Sequence, residues 1–204
     1  MHNHCVIFGT TKGSVVVYRV NPTPLKFEFH IGKHEHKAPI TALVMNNTLQ
    51  LVASASKDGV VNIYTYPSFK TVRSIVVDNN ACVTNVFLAS SPLPCVVAYN
   101  AEKKRFYSYT INGETVEMND SEENEMWSAY SVYQGKAFQE FLMLGSENGV
   151  FEIRMFPELK IRHKLVIASG SSIKEIVPLG KDGSVLVCLD KMKEIVILEN
   201  ISKE

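Results

Sequence analysis

The sequence predicts an all-β fold made of repeated four-stranded units, and three observations support this prediction. Helical periodicity, with apolar residues at i, i+3, i+4 and i+7, is nearly absent from the 204 residues. Short runs rich in Val, Ile, Tyr and Phe alternate with Gly, Pro, Asn, Asp and Lys, which is the pattern of strands and turns. A strand–turn–strand pattern also returns at nearly constant intervals along the chain.

The clearest copy of this pattern is LVASASKDGVVNIYTY, Leu51–Tyr66. Two alternating apolar runs flank a Ser-Lys-Asp-Gly turn, and this predicts a β-hairpin. The predicted hairpins span residues 5–20, 50–66, 94–110, 140–156 and 183–198. Their turns are centred near Gly13, Gly59, Lys104, Gly149 and Met192, at intervals of 43 to 46 residues. A period of about 40–45 residues is typical of β-propeller blades, so we expect one propeller domain over residues 1–204 with about five blades represented.

Each period also has room for an outer and an inner strand. After the second hairpin, Phe69–Val77 mixes basic and apolar residues, as outer edge strands do. The next run, Ala81–Ser90, is more apolar and suits the inner position near the propeller axis. The same order of outer strand, inner strand and hairpin then repeats to the end of the chain.

The first and last repeats lack a strand. The chain opens in a hairpin strand, Cys5–Gly9, with no inner strand before it, and it stops at Glu204 with no outer strand after the last hairpin. A closed ring shields its sheet edges, so two arrangements stay open: an irregular five-bladed ring, or part of a larger, seven-bladed propeller. We favour the larger propeller. The open edges also predict self-association by strand pairing.

Composition argues against several classes of function. The 21 basic and 21 acidic residues balance to zero net charge, without the basic surplus of a nucleic-acid binder. No apolar run approaches the ~18–20 residues that span a bilayer, and the start, MHNHCVIFG, does not resemble a signal peptide. We therefore expect no direct membrane insertion and a cytoplasmic location. Four separated cysteines, Cys5, Cys82, Cys95 and Cys188, favour free thiols.

Four polar residues of the second repeat have a spacing that suggests a hydrogen-bonded network. Counting from His36, Ser54 comes 18 residues later, Asp58 22 and Tyr64 28. A turn carboxylate can accept from an imidazole N–H, and the imidazole can meet a hydroxyl on the neighbouring strand. This layout resembles the WD-repeat family, with Tyr64 in place of the usual Trp. The resemblance implies that these four residues, called the tetrad below, have a structural role.

Catalysis and metal binding explain the same region less well. Ser54, His36 and Asp58 have the residue types of a hydrolase triad, but no G-x-S-x-G elbow surrounds the serine. Histidine and cysteine also gather in two short stretches, which are His30, His34 and His36, and His2, His4 and Cys5. Neither stretch has C-x-x-C or H-E-x-x-H spacing, and no P-loop or dinucleotide fingerprint occurs. We therefore expect no catalytic, cofactor-binding or metal-binding residue.

A second, closer resemblance covers Ala89–Gly113, ASSPLPCVVAYNAEKKRFYSYTING. Its Ser-Pro-Leu-Pro-Cys and Tyr-Ser-Tyr-Thr-Ile-Asn-Gly segments resemble the last WD repeats of BEACH-domain proteins, the large scaffolds that include neurobeachin and the lysosomal trafficking regulator. The upstream stretch Tyr66–Ile75 is similar to the same family. The resemblance implies a C-terminal propeller that follows a BEACH domain and acts in vesicle traffic through protein contacts. This chain contains no BEACH domain of its own.

The sequence thus predicts a non-enzymatic protein-interaction scaffold that binds other proteins through its propeller-face loops, in the cytoplasm at the periphery of endomembranes. A first alternative places the same propeller in a ciliary or cytoskeletal complex. A second alternative is an enzyme on a five-bladed propeller, which would need acidic or His residues converging at the axis. The polar residues that the predicted inner strands offer there are Thr84, Asn85, Ser128, Lys174 and Glu175. The acidic stretch Val116–Met126 is expected to be a solvated loop.

Overall fold

The computed structural model describes residues 4–77, 82–120, 125–135, 139–180, 183–190 and 195–199. Within these ranges every regular element is a β-strand, and eighteen strands form five sheets in which sequential strands are neighbours. No helix in these ranges is long and apolar enough to cross a membrane. The predicted all-β architecture of blade-like sheets is confirmed.

Three sheets have four strands and two have three in the described part of the chain. The first sheet contains β1 His4–Gly9, β2 Ser14–Pro22 and β3 Leu25–His34. The second contains β4 Ile40–Asn46, β5 Leu51–Ser56, β6 Val60–Thr65 and β7 Thr71–Val76. The third contains β8 Asn85–Ala89, β9 Cys95–Asn100, β10 Arg105–Thr110 and β11 Thr115–Asp120. The fourth contains β12 Trp127–Gln134, β13 Glu140–Ser146, β14 Val150–Met155 and β15 Lys160–Val166, and the fifth contains β16 Ile173–Pro178, β17 Val185–Leu189 and β18 Ile195–Leu198.

Burial follows the composition of each strand. Strands β5, β9 and β13 are buried along their whole length, because most of their side chains on both faces of the sheet are apolar or small. The outer strands β7, β11 and β15 carry charged residues and are largely exposed. Strand β11 continues to Asp120, so the stretch from Val116 to Asp120 is an outer strand and not the loop that its acidic composition suggested. Arg105 lies opposite Asp120 on the neighbouring strand and forms an ion pair with it, which balances one acidic charge of β11.

Two compact units can be distinguished, and each is built around a pair of packed sheets. Unit 1 comprises residues 1–88, 96–102 and 111–113. In unit 1 a core of five buried side chains joins the first and second sheets: Val15, Val17, Val52, Tyr64 and Phe69. Gly9 permits this close approach, since a Cβ atom there would lie 2.5 Å from Ile40 Cγ2.

Unit 2 comprises residues 89–95, 103–110 and 114–204 and repeats this packing. Its core joins the fourth and fifth sheets and includes Met143, Phe151, Ile153, Ile173, Val185 and Val187. Gly145 has the role of Gly9, because its added Cβ would lie 2.4 Å from Ile173 Cγ2. The repeat in the sequence therefore corresponds to a repeated sheet-on-sheet contact.

Candidate functional site

The tetrad lies on the second sheet, within unit 1. His36 follows β3, Ser54 is in β5, Asp58 is in the β5–β6 turn and Tyr64 is in β6. The antiparallel ladder places Ser54 opposite Asn62 and Val52 opposite Tyr64, so these side chains share one face. His36 and Ser54 are 2% and 0% exposed, and Tyr64 is fully buried as well.

Hydrogen bonds join the four side chains in one chain of contacts. His36 Nε2 lies 2.6 Å from Ser54 Oγ, and His36 Nδ1 lies 3.4 Å from Asp58 Oδ1. The hydroxyl oxygens of Ser54 and Tyr64 are 3.4 Å apart, and Asn62 Nδ2 lies 3.2 Å from His36 Nε2. The structure thus brings all four predicted residues together and adds Asn62, which the spacing argument missed although the hairpin register places it opposite Ser54.

The partners of His36 indicate which of its ring nitrogens carries the proton. The Asp58 carboxylate only accepts, so Nδ1–H donates to it and Nε2 is left to accept from Ser54 and Asn62. Burial lowers the pKa of His36 and outweighs the attraction of Asp58, which acts in the opposite direction. The imidazole is therefore neutral at neutral pH.

Asp58 remains ionised although it is partly buried. Burial alone would raise the pKa of Asp58, but hydrogen bonds from the backbone N–H groups of Lys37 and Val60, together with His36, lower it below its ordinary value. The two backbone bonds measure 2.7 and 3.0 Å. A carboxylate that accepts several N–H bonds is stabilised in its charged form.

The tetrad fixes a short connection, residues 35–39, that we call the pinned loop. Asp58 holds it through the Lys37 N–H, and the Ser56 hydroxyl donates to Ala38 O at 3.0 Å. Backbone bonds tie it to the turns on either side: His36 N donates to Gly13 O at 3.3 Å, and Lys57 N donates to Pro39 O at 3.1 Å. The loop therefore has few ways to move without breaking hydrogen bonds.

This geometry argues against a hydrolase triad. His36 contacts Ser54 and Asp58 as the histidine of a triad would, but Ser54 is fully buried, so a substrate cannot reach its hydroxyl. An active triad needs a nucleophile that is open to an acyl group on one side. The polar groups of this site act on the protein itself.

The fourth sheet carries a different buried polar group at the corresponding position, which the sequence interpretation did not identify. Arg154 pairs with Leu142 as Tyr64 pairs with Val52, and it is almost completely buried. Its Nε and Nη2 atoms donate to Glu152 Oε2 at 3.0 and 2.9 Å.

Two aromatic rings and a lysine complete this group. The Arg154 guanidinium lies 5.2 Å from the ring centroid of Phe106 and 5.8 Å from that of Trp127, within the range of cation–π contacts. Lys164 Nζ lies 3.4 Å from Glu152 Oε1. Arg154 and Glu152 thus occupy the positions that Tyr64 and Asn62 have in the second sheet. Aligning the repeats on Gly59 and Gly149 would have found the substitution.

Three of the five polar residues expected near the axis, Thr84, Ser128 and Lys174, have partners within the protein. Thr84 Oγ1 donates to Tyr99 O at 3.0 Å, and Ser128 Oγ donates to Ile173 O at 2.6 Å. Lys174 Nζ lies 3.3 Å from Asp190. Thr41, at the second position of β4 as Ser128 is of β12, donates likewise to Val83 O at 2.5 Å. These hydroxyls link inner strands to neighbouring backbone.

Some of the histidines considered above as metal ligands have side-chain partners in the structure. His34 Nδ1 lies 2.9 Å from the Ser14 hydroxyl, and His30 Nε2 lies 3.4 Å from Arg19. His2 falls outside the described residues. Among the residues that are described, no three His, Cys, Asp or Glu side chains are grouped to hold a metal ion.

Comparison with solved structures identifies the fold. No protein-family model matches the chain, and no curated protein matches it. The Cps50 (Swd1) β-propeller domain of Myceliophteria thermophila superposes with a TM-score of 0.71 at 18% identity, over 96% of this chain and 62% of that one. The computationally designed Ika8 protein gives a TM-score of 0.71 at 14% identity, over 98% of this chain and 56% of that one. The fold is thus that of a β-propeller, and the chain spans less than two thirds of either structure.

Proposed function

We propose that this chain is a non-enzymatic scaffold that binds other proteins through loops at the ends of its propeller sheets. The observation that carries the proposal is the pinned loop, where buried polar groups fix the backbone and none of them is presented as a reactive group. A loop that is already ordered loses little conformational entropy when a partner binds it. Rigid loops on a β scaffold are common binding surfaces.

The exposed side chains around the pinned loop suggest the chemistry of such a partner. Lys37 and Glu35 project from the loop, and Lys12 and Lys57 project from the two turns that are bonded to it. Glu35 is already engaged by Lys33 at 3.7 Å and by the Thr71 hydroxyl at 2.7 Å. Three lysines on a fixed backbone would favour a partner that presents acidic side chains.

Charge reversal on this surface tests the proposal. Proteins that cross-link to the purified chain would be identified, and the direct binding of each purified candidate would then be measured. We expect Lys37→Glu and Lys57→Glu to weaken saturable binding, and the matched change Lys160→Glu on β15 to leave it unchanged. A chain with no saturable protein partner, or a partner insensitive to the loop changes, would contradict the proposal.

We further propose that the scaffold belongs to a BEACH-type protein of vesicle traffic and works in the cytoplasm, at the periphery of endomembranes. The support is the resemblance of Ala89–Gly113. The coding sequence upstream of Met1 is the test, because a BEACH domain should be encoded there. An upstream region that encodes another kind of domain would contradict this part of the proposal.

Self-association through sheet edges is a last element of the proposal. Strands β1 and β18 each have one neighbour in their sheets within the described part of the chain. Such an edge offers unpaired backbone groups to another strand. Pairing would slow hydrogen exchange of β1 or β18 amides as protein concentration rises, and unchanged exchange would argue against it.

A further inference from the structure

The first sheet has one face that is apolar and uncovered. The cross-strand register aligns the side chains of this face, called the aromatic face: Val6, Phe8, Val16, Tyr18, Val20, Leu25, Phe27 and Phe29. Ser14 and His34 are polar residues at its border. Leu25, Phe27, Phe29 and Phe8 are 66%, 56%, 65% and 48% exposed. Contiguous apolar surface of this kind usually marks an interaction site.

The rings of this face are already ordered by one another. Tyr18 lies between Phe8 and Phe29, with centroid distances of 6.1 and 6.0 Å and edge-to-face angles of 79° and 80°. Aromatic pairs prefer this geometry. The face is therefore preorganised for a partner.

Packing within unit 1 indicates what such a face contacts. Tyr18 comes five residues after the turn glycine Gly13, and Tyr64 comes five after Gly59, so the two tyrosines are equivalent. Tyr64 is fully buried because the side of the first sheet that carries Val15 and Val17 packs on it. The aromatic face therefore corresponds to the Tyr64 side of the second sheet. A face of this kind packs against the side of a preceding sheet that corresponds to Val15 and Val17.

The fifth sheet has an uncovered face of that opposite kind. Its side with Ile173, Val185 and Val187 is covered by the fourth sheet, in the core of unit 2. The other side, called the aliphatic face, carries Val177, Leu186, Cys188, Ile195 and Ile197. Ile195 and Ile197 are 62% and 58% exposed. Glu175, opposite Cys188, is a charged residue at its border.

We propose that the aromatic face binds the aliphatic face of a second copy of this chain, head to tail. In both cores, one side of a sheet packs against the opposite side of the next sheet in the chain. The aliphatic face and the aromatic face are opposite sides in the same sense, so they can pack against each other in the same way. Both are apolar, so their association removes apolar surface from water. The two faces are different patches, so the contact is heterologous. A dimer keeps one free aliphatic face at one end and one free aromatic face at the other. The proposal is independent of which proteins the loops bind, and it is an alternative to strand pairing at the β1 and β18 edges, which the variants below retain.

Complementation between two variants tests the head-to-tail geometry. Phe29→Lys blocks the aromatic face and Ile197→Lys blocks the aliphatic face. Sedimentation velocity should show that the unaltered chain associates as concentration rises and that each variant alone is monomeric. Mixing the variants should restore association as a 1:1 dimer and nothing larger, because one intact face of each kind remains. Val166→Lys, at a 66% exposed position on β15, is the matched control and should associate like the unaltered chain.

Circular dichroism and melting temperature establish that each variant is folded before association is compared. An unaltered chain that stays monomeric at every concentration would overturn the proposal and leave the faces to a different partner. Association of Ile197→Lys on its own would also overturn it, since that contact would have to form between two aromatic faces or between strand edges. Folded variants that stay monomeric when mixed would do the same.

Discussion

Asp58 is the tetrad residue whose loss should be most costly, because it serves both the network and the pinned loop. It accepts from two backbone N–H groups and from His36. Asp58→Ala would leave these partly buried donors unsatisfied, so we expect the free energy of unfolding to fall by about 1–3 kcal/mol. The melting temperature should drop while the circular dichroism spectrum of the folded protein stays the same.

A surface aspartate provides the control for this change. Asp190 lies 3.3 Å from Lys174, and both side chains are about half exposed. Exposed ion pairs contribute only about 0–1 kcal/mol, so Asp190→Ala should have little effect. An unchanged midpoint for Asp58→Ala would mean that the tetrad does not form in solution.

His36 should make stability depend on pH in a defined window. Burial lowers its pKa below 6.5 in the folded chain, whereas the unfolded chain titrates near 6.5. Below that pH the unfolded chain takes up a proton that the folded chain resists, so the free energy of unfolding falls as pH drops from 6.5. The contribution is complete above 6.5.

Denaturant titrations between pH 6.5 and 3.8 would measure this effect. Asp58 acts in a separate window: its lowered pKa gives stability that is complete above 3.8 and is lost as pH falls below that value. His36→Gln removes the titrating group. Between pH 6.5 and 3.8 its free energy of unfolding should therefore change less with pH than that of the unaltered chain. Parallel curves for both proteins would show that His36 is not held neutral.

At the level of elements, close sheet packing depends on two glycines. A methyl group at Gly9 or Gly145 would meet Ile40 or Ile173 at 2.5 or 2.4 Å. The neighbours are β-branched side chains on inner strands, so the sheets must separate or the strands must shift. Overpacking of this kind typically costs about 1–3 kcal/mol, and we expect Gly9→Ala and Gly145→Ala each to destabilise the chain by that amount.

Gly32 in β3 is the matched control. The nearest atom to an added Cβ there is Phe29 Cζ at 3.4 Å, an ordinary contact on an exposed face. Gly32→Ala should therefore change the free energy of unfolding by about 0.5 kcal/mol or less, as chemical denaturation would show. Equal effects at all three glycines would indicate a backbone cause and not sheet packing.

The same elements show why the fold could be predicted and part of the polar chemistry could not. Strand alternation and turn glycines depend only on residues that are close in sequence, so the hairpins and their period could be predicted from it. Arg154 and Glu152 were missed because charges that alternate with apolar residues usually indicate a solvent-exposed face. Their burial depends on Phe106 and Trp127, which are distant in sequence. The exposure of Phe27 and Phe29 was likewise hidden, because an apolar strand does not reveal whether a second sheet covers it.

For the whole molecule, the four free cysteines provide a measure of global opening. Cys5, Cys82 and Cys188 are half-buried, whereas Cys95 is fully buried at the start of β9. Burial, with a further contribution from the charge of Glu140, raises the pKa of Cys95 to about 12. Alkylation requires the thiolate, so access and ionisation both protect this thiol while the chain is folded.

We therefore expect iodoacetamide to modify Cys95 only through unfolded molecules. At mildly alkaline pH, mass spectrometry of the peptides should show Cys95 unmodified when the other three thiols are already alkylated. The rate of Cys95 alkylation should rise with denaturant in proportion to the unfolded fraction. When reclosing is fast, the labelling rate of an opened state is set by the free energy of opening. Asp58→Ala should raise that rate by the factor that corresponds to its loss of stability, and Asp190→Ala should not. Cys95 labelling as fast as that of Cys188 without denaturant would mean that the sheet containing β9 opens locally, and that its burial on both faces does not make it part of the most stable core.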